Sequence, residues 1–199
     1  MIQVDKIVNR VFNSNTYILR TENSQNVWLI DCGDIDKIIG SLHDDEKVIG
    51  VLITHGHSDH IYGLNKLVNK YPSVKIYTAE SCLEEFMSDK LNFSRYHEEY
   101  SGFIINKLDN VIVIHGDTVI DVLGTTCIVH STPGHDSSCL CYEIEKYLFT
   151  GDSYIPGVKV ITKFPRSNKE QAQLSIAKIL QLSDGKEIMP GHTLVNCKF

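Results

Sequence analysis

The chain predicts a mixed α/β fold, and three observations predict it. Short runs of β-branched and aromatic residues recur between turn signals along the chain, stretches with helical periodicity interleave with them, and 199 residues at 42% hydrophobic content suffice to bury a sizeable core. Nothing in that length asks for more than one domain, so residues 1–199 are read as a single unit. No internal repeat or low-complexity segment interrupts it.

In order, the strand-like runs cover residues 16–19, 27–30, 48–54, 74–77, 111–114, 127–129 and 139–144, the last continuing to Phe149. One helix is expected over 60–68. A second is expected over 169–182, where Ser167 and Glu170 have capping-box spacing and Ala172, Ile176, Ile179 and Leu180 form an apolar stripe.

Metal-capable residues follow the strands. Residues 51–54 deliver His55, residues 129–131 precede the turn Thr132-Pro133-Gly134-His135, residues 147–149 lead into Thr150-Gly151-Asp152, and residues 186–189 lead into Pro190-Gly191-His192. Each candidate thus sits in a turn with a glycine (Gly56, Gly134, Gly151 or Gly191) at the end of an apolar run, where a rigid scaffold aims loop side chains at one point. The densest stretch is His55-Gly56-His57-Ser58-Asp59-His60. Four such side chains within six residues repel one another or stay unsatisfied unless something positive binds them, so the series reads as a two-metal hydrolase site. Imidazole nitrogens and carboxylate oxygens without thiolate suit Zn²⁺, Fe or Mn²⁺ with open coordination positions, rather than a closed structural zinc site.

Composition narrows the rest. A net charge of −6, with 19 Lys and Arg that form no run, argues against a nucleic-acid partner. The six cysteines (Cys32, Cys82, Cys127, Cys139, Cys141 and Cys197) contain no C-x-x-C pair, and the start carries no secretory pattern, which leads us to expect reduced thiols in the cytoplasm. No apolar run reaches membrane-spanning length, so a soluble protein without a membrane partner is expected. Cys139 and Cys141 alternate along a strand, and neither reads as a nucleophile. His43, His97, His115 and His130 fit no ligand position and are assigned surface or hydrogen-bonded roles. Lys159, Lys163 and Arg166 lie between Asp152 and the second helix; an overhanging anion contact competes there with an ordinary solvated loop, and the solvated loop is preferred. Tyr154 is the candidate substrate contact. Residues 81–110, with Phe86, Phe93, Tyr96, Tyr100 and Phe103, are either a lid or dimer contact over the cleft or, more commonly for such aromatics, part of the core.

With His55, His57, Asp59 and His60 in the order His-x-His-x-Asp-His, followed by His135, Asp152 and His192, the sequence resembles the metallo-β-lactamase-fold hydrolase superfamily over essentially its whole length. The resemblance implies an α/β four-layer αβ/βα sandwich. It implies two divalent cations, zinc foremost and iron or manganese as alternatives, one held by His55, His57 and His135, the other by Asp59, His60 and His192, with Asp152 bridging. It further implies a hydrolase whose nucleophile is a metal-bridging hydroxide, with Asp59 and Asp152 as the catalytic carboxylates. The turns Thr54-His55-Gly56-His57, Thr132-Pro133-Gly134-His135 and Phe149-Thr150-Gly151-Asp152 look like the glyoxalase II-like branch, whose substrates are thioesters. Only residues 193–199 follow His192, without the helical glutathione-binding segment of hydroxyacylglutathione hydrolases, so the expected substrate is a small thioester, ester or lactone. The alternatives are a mononuclear iron sulfur (persulfide) dioxygenase of the same fold, using His55, His135 and Asp152, and a phosphodiesterase. A β-lactamase or an RNA-processing enzyme is less expected, because secretion signals and basic arms are missing. The partner is a small molecule, and the assembly a monomer or homodimer.

Overall fold

The computed structural model describes residues 1–22, 24–98 and 101–194. Its first half contains β1 Gln3–Val8, β2 Asn15–Arg20, β3 Asn26–Ile30, α1 Ile35–Gly40, β4 Lys47–Leu52, α2 Ser58–Ile61, α3 Leu64–Lys70, β5 Lys75–Ala79, α4 Cys82–Phe86, a 3₁₀ turn Ser94–Tyr96 and β6 Val111–Ile114. The second half contains β7 Thr118–Val122, β8 Thr125–Ser131, β9 Leu140–Ile144, β10 Tyr147–Gly151, α5 Lys169–Leu182 and β11 Glu187–Pro190.

The strands form two sheets, one ordered β1-β2-β3-β4-β5-β6 and the other β11-β10-β9-β8-β7. Strands β3 to β6 are parallel neighbours, as are β10 and β11; the remaining pairs are antiparallel. The central strands are apolar throughout because both their faces are buried. Alternation divides each one. Val27 and Leu29 of β3, Val51 of β4 and Ile18 of β2 join α1 and α3 in one core through Ile38, Leu64 and Leu67. Trp28, Ile30, Leu52, Tyr17 and Leu19 face the other way, into a core shared with Val129, Tyr142 and Phe149 of the second sheet. The outer face of that sheet packs Cys141 and Leu148 against Ile179 of α5. The layers are therefore helices, sheet, sheet, helix: the expected four-layer sandwich.

The expected strands are present with ends moved by a residue or two, except that the run expected from 139 on to Phe149 is two antiparallel strands, β9 and β10, turning at Glu145 and Lys146. Three other local readings need correction. The single helix over 60–68 is two helices, α2 and α3, separated by Tyr62 and Gly63, where the Gly63 N–H donates to the Cys32 carbonyl at 2.9 Å. The cap of α5 is Asn168, whose side chain accepts from the Glu170 and Gln171 N–H groups, while the Ser167 hydroxyl donates to the His135 carbonyl at 2.6 Å; there is no capping box. Leu180 is exposed, and the buried positions of α5 are Ala172, Ser175 and Ile179. Among the described residues, no helix is long and apolar enough to cross a membrane.

Candidate metal centre

The two sheets are pinned together where β4 ends. The Leu140 N–H donates to the Thr54 carbonyl at 2.8 Å, and the Tyr142 hydroxyl donates to the Ile53 carbonyl at 2.7 Å. The chain leaving β4 carries His55, His57, Asp59 and His60, that leaving β8 carries His135, and those leaving the parallel pair β10 and β11 carry Asp152 and His192. Carboxyl ends of strands are where open α/β sheets place ligands. Close approach is built in at two glycines. Gly134, at φ +141°, lies against the backbone of Ala172, and a side chain at Gly191 would strike the Asp152 carboxylate.

All seven candidates converge. His55, His57 and His135 form one group, Asp59, His60 and His192 another, and His55, His60 and Asp152 a third; within each group the ligand atoms lie within 4.8 Å of one another. Asp152 stands between the first two: its Oδ2 is 3.5 Å from His135 Nε2 and 3.2 Å from His192 Nε2, and its Oδ1 is 3.6 Å from His60 Nε2. Asp59 Oδ2 is 3.4 Å from the Nε2 atoms of both His60 and His192.

The imidazoles are held from behind. The Nδ1 atoms of His135 and His192 meet the carbonyls of Ile161 and Phe12 at 3.0 and 2.9 Å, that of His60 meets Asp31 Oδ2 at 2.8 Å, and that of His55 meets Thr54 Oγ1 at 3.1 Å. Their Nε2 atoms turn inward. His57 is reversed, with Nε2 toward Asp136 at 3.8 Å and Nδ1 only 3.1 Å from His135 Nε2. Such outer partners fix ring orientation and tautomer in metal-binding histidines. The inward atoms, by contrast, lack ordinary partners: His55 Nε2 and Asp152 Oδ1 are buried with no hydrogen bond, and the His60 and His192 Nε2 atoms are 3.3 Å apart. Buried polar atoms are rarely left so. The donor set and its orphaned atoms fit bound divalent cations.

Electrostatics agree. Burial, reinforced by the neighbouring imidazoles of His60 and His57, holds His55 well below the usual histidine value, so it is neutral. Burial also lowers His135. It opposes the charged form of His60, but the Asp59, Asp31 and Asp152 carboxylates outweigh it and lift that residue to about 10. Asp152 is held well below its usual range by His192 and His60, against burial. The Asp59, Asp31 and Asp152 carboxylates thus make this edge of the fold a place that favours positive charge.

Several contributing residues went unnoticed in the sequence. Asp31, buried and at φ +58°, accepts from the Thr54 N–H and hydroxyl at 2.7 and 2.8 Å as well as facing His60. Behind His57 lie Glu85 and Asp136, both buried. Burial and the Asp136 charge push Glu85 up to about 7. Asp136 immediately follows His135 and could have been noticed; nothing local marks Asp31 or Glu85. Arg166, expected to be solvated, is only 15% exposed in its side chain: it pairs with Glu84 at 2.7 Å and Asp136 at 3.4 Å and donates to the Ser81 carbonyl and Ser137 hydroxyl. It straps its loop to α4. Lys159 and Lys163 are exposed, as expected.

A cavity of about 940 Å³ opens above the centre, touching His57, Asp59, His135, Asp152 and His192. Tyr154 does not line it; the ring packs against Cys141, Leu148 and Ile179, which overturns the expected substrate contact. The stretch 81–110 divides: Phe86 and Phe103 belong to the core, Phe93 and Tyr96 line the cavity, and Tyr100 lies outside the described residues. His130 pairs with Glu143 at 2.9 Å, His43 and His115 lie near Glu46 and Glu80, and His97 lines the cavity mouth. The five described cysteines are free and buried, and burial lifts Cys141 to about 12. Cys197 lies outside the described residues.

Residues 9–192 match the metallo-beta-lactamase superfamily, and the chain belongs to it. The hydroxyacylglutathione hydrolase of Klebsiella pneumoniae is 26% identical over 191 residues, covering 94% of this chain and 66% of that protein. That of Pseudoalteromonas translucida is 28% identical over 159 residues, covering 79% of this chain and 52% of that protein. The chain thus spans between about half and two thirds of the length of these relatives. Among solved structures, BLEG-1 B3 metallo-beta-lactamase superposes with a TM-score of 0.86 at 22% identity, covering 96% of this chain and 92% of that one. TTHA1623 in a di-iron-bound form superposes at 0.79 and 19% identity, covering 96% and 93%. At these identities the likeness shows the fold.

Proposed function

We propose that the chain is a metal-dependent hydrolase acting on a small thioester, ester or lactone in the cytoplasm. In this reading His55, His57 and His135 would hold one divalent cation, Asp59, His60 and His192 would hold a second, and Asp152 would be available to both. The observation that carries it is the position of Asp152 between two complete ligand groups. The hydroxyacylglutathione hydrolase relatives support thioesters as the first class to test.

A pair of such cations supplies an acidified water near neutral pH and a Lewis acid for the oxyanion that develops during acyl transfer. The chain's own residues do the rest. Asp59 and Asp152 bring carboxylates to the cavity floor, where they orient a water and accept its hydrogen bond. Asp31 and Thr54 hold His60 and His55 with Nε2 inward. The cavity walls limit water at the reacting carbonyl. Completeness of the Asp59, His60 and His192 group supports two cations, and the number of ions bound per chain separates this reading from the single iron of a persulfide dioxygenase. The di-iron form of TTHA1623 is the reason to test iron beside zinc.

The test is turnover of thioester, lactone and phosphodiester panels by protein loaded with Zn²⁺, Mn²⁺ or Fe²⁺, with oxygen uptake on a persulfide as the redox arm. Metal-dependent cleavage of a thioester, ester or lactone is expected. Oxygen consumption with one iron per chain, or cleavage of phosphodiesters alone, would overturn the reading.

A further inference from the structure

Two phenylalanines at the cavity occupy left-handed backbone conformations that are unfavourable for bulky side chains: Phe12 at φ +51° and Phe93 at φ +66°. Phe12 lies in the β1–β2 turn, closed by the Ser14 N–H donating to the Val11 carbonyl at 3.1 Å, whereas Phe93 is held by buried neighbours. Phe93 lies between Asn92 and Ser94, which are fully buried; the Asn92 amide donates to the Glu85 and Phe103 carbonyls at 3.1 and 3.0 Å, and its oxygen accepts from the Ser94 N–H at 2.8 Å. This network aims the Phe93 ring at the metal centre, 4.9 Å from the His57 ring and 4.9 Å from Phe164, which itself lies 5.2 Å from His57 and 5.6 Å from His135. On the far side, Phe12 presents a ring that is 62% exposed and 4.7 Å from His97, while its carbonyl holds His192. Core packing does not account for an exposed aromatic residue in a strained turn at this place. Strain of this kind clusters where a site needs a particular side chain in a particular position.

Charge points the same way. Lys159 is the one Lys or Arg among the described residues lining the cavity, while Arg166 is engaged with Glu84 and Asp136. Beside the metal-capable residues the cavity is lined by the Phe93 and Phe164 rings and offers little to receive carboxylates.

We propose that the ligand of this site carries an apolar, aromatic-sized group seated against Phe93 and Phe164, beside the carbonyl presented to the metal residues. The inference rests on the hydrolase reading for that carbonyl. It sets the expected acyl group apart from a small hydroxyacyl one, and the expected leaving group apart from a dianionic peptide thiol.

The first measurement is calorimetric binding of phenylacetate and acetate to zinc-loaded and chelator-treated protein. Burying one ring corresponds to a gain of about tenfold to a hundredfold, so phenylacetate is expected to bind at least about tenfold tighter than acetate to the zinc-loaded protein, with both acids weaker on the chelator-treated protein, where the Asp59 and Asp152 carboxylates face them. Phe164→Ala should bring phenylacetate down to nearly the acetate value. Phe93→Gly should do so while keeping the melting temperature at or above that of the parent, because glycine relieves the left-handed turn; a ring that only filled space would leave a less stable protein. The second measurement is KM and kcat for phenylacetyl, acetyl and glycolyl thioesters of N-acetylcysteamine, with the phenylacetyl preference expected in KM. Equal binding of the two acids, a glycolyl preference, or a phenylacetate preference untouched in Phe164→Ala overturns the inference. Ring-selective binding without any turnover upholds the aromatic seat and overturns the hydrolase reading; turnover without ring selectivity does the reverse.

Discussion

Tyr142 and His55 are equally buried, and they are treated in opposite ways. Tyr142 lies between the sheets among apolar side chains, and its one polar atom donates to the Ile53 carbonyl at 2.7 Å. His55, two residues further along the same strand exit, has an Nε2 with no partner, and the rings of His57, His60 and His135 lie 4.5, 4.3 and 5.1 Å from its own. The interior between the sheets is held by apolar contact, with the Trp28 Nε1 its one buried polar atom lacking a partner among the described residues of that core. The loop edge is complete only with positive charge added, and the same strands carry both. The fold therefore carries its stability in one region and keeps its unsatisfied chemistry in another.

The sharpest way to separate the two regions is to damage each alone. Asp152→Ala removes the carboxylate common to both ligand groups; kcat/KM is expected to fall by about 10³-fold or more, with less metal retained per chain, while the secondary structure seen by circular dichroism is unchanged. Phe149→Ala does the converse. It opens a cavity in the inter-sheet core beside Tyr17, whose ring is 5.2 Å away, and is expected to cost about 3–5 kcal/mol in denaturant unfolding with metal bound or removed. Asp31→Asn acts on the boundary between the regions, loosening His60 and Thr54 together. Metal affinity should weaken about 10-fold to 100-fold, measured by competition with a chelating dye.

The smallest effect lies far from the edge. Burial opposes ionisation of Glu46, but the Arg20 guanidinium at 2.7 Å and the His43 N–H at 2.9 Å outweigh it and hold the carboxyl below its usual value. A depressed carboxylate contributes stability above the ordinary glutamate value of about 4.3, and loses it as pH falls through the lower folded value. Glu46→Gln should cost about 1–3 kcal/mol at pH 7 and flatten the loss of melting temperature on acidification, with turnover unchanged.

The same division explains what could be read without coordinates. Val27–Ile30 and 48–54 announce buried strands because both faces are apolar, and the loop residues announce themselves because His55 to His60 crowd in sequence as they do in space. Strands β1 and β7 escaped notice: they are sheet edges with exposed charged or polar positions, such as Asp5, Lys6 and Asp121, that blur the alternation. The helices α1 and α4 span six and five residues, too few to show a period. Asp31 is a lone carboxylate ending an apolar run and Glu85 one of two adjacent glutamates, and their significance arises only when the β4 exit folds over them. Arg166 looked like a solvated loop cation because its partners Glu84 and Asp136 are remote in sequence. Tyr154 looked like a site residue by adjacency to Asp152, but its ring points to the α5 side.

The central claim is that the loop edge is built around two cations, and metal analysis of the purified chain, dialysed against zinc and then against metal-free buffer, tests it directly. Two ions per chain are expected for the parent, one for His192→Ala, and no loss of the folded core when both are stripped. A parent that retains none, or a His192→Ala variant that keeps the full complement, would contradict the account.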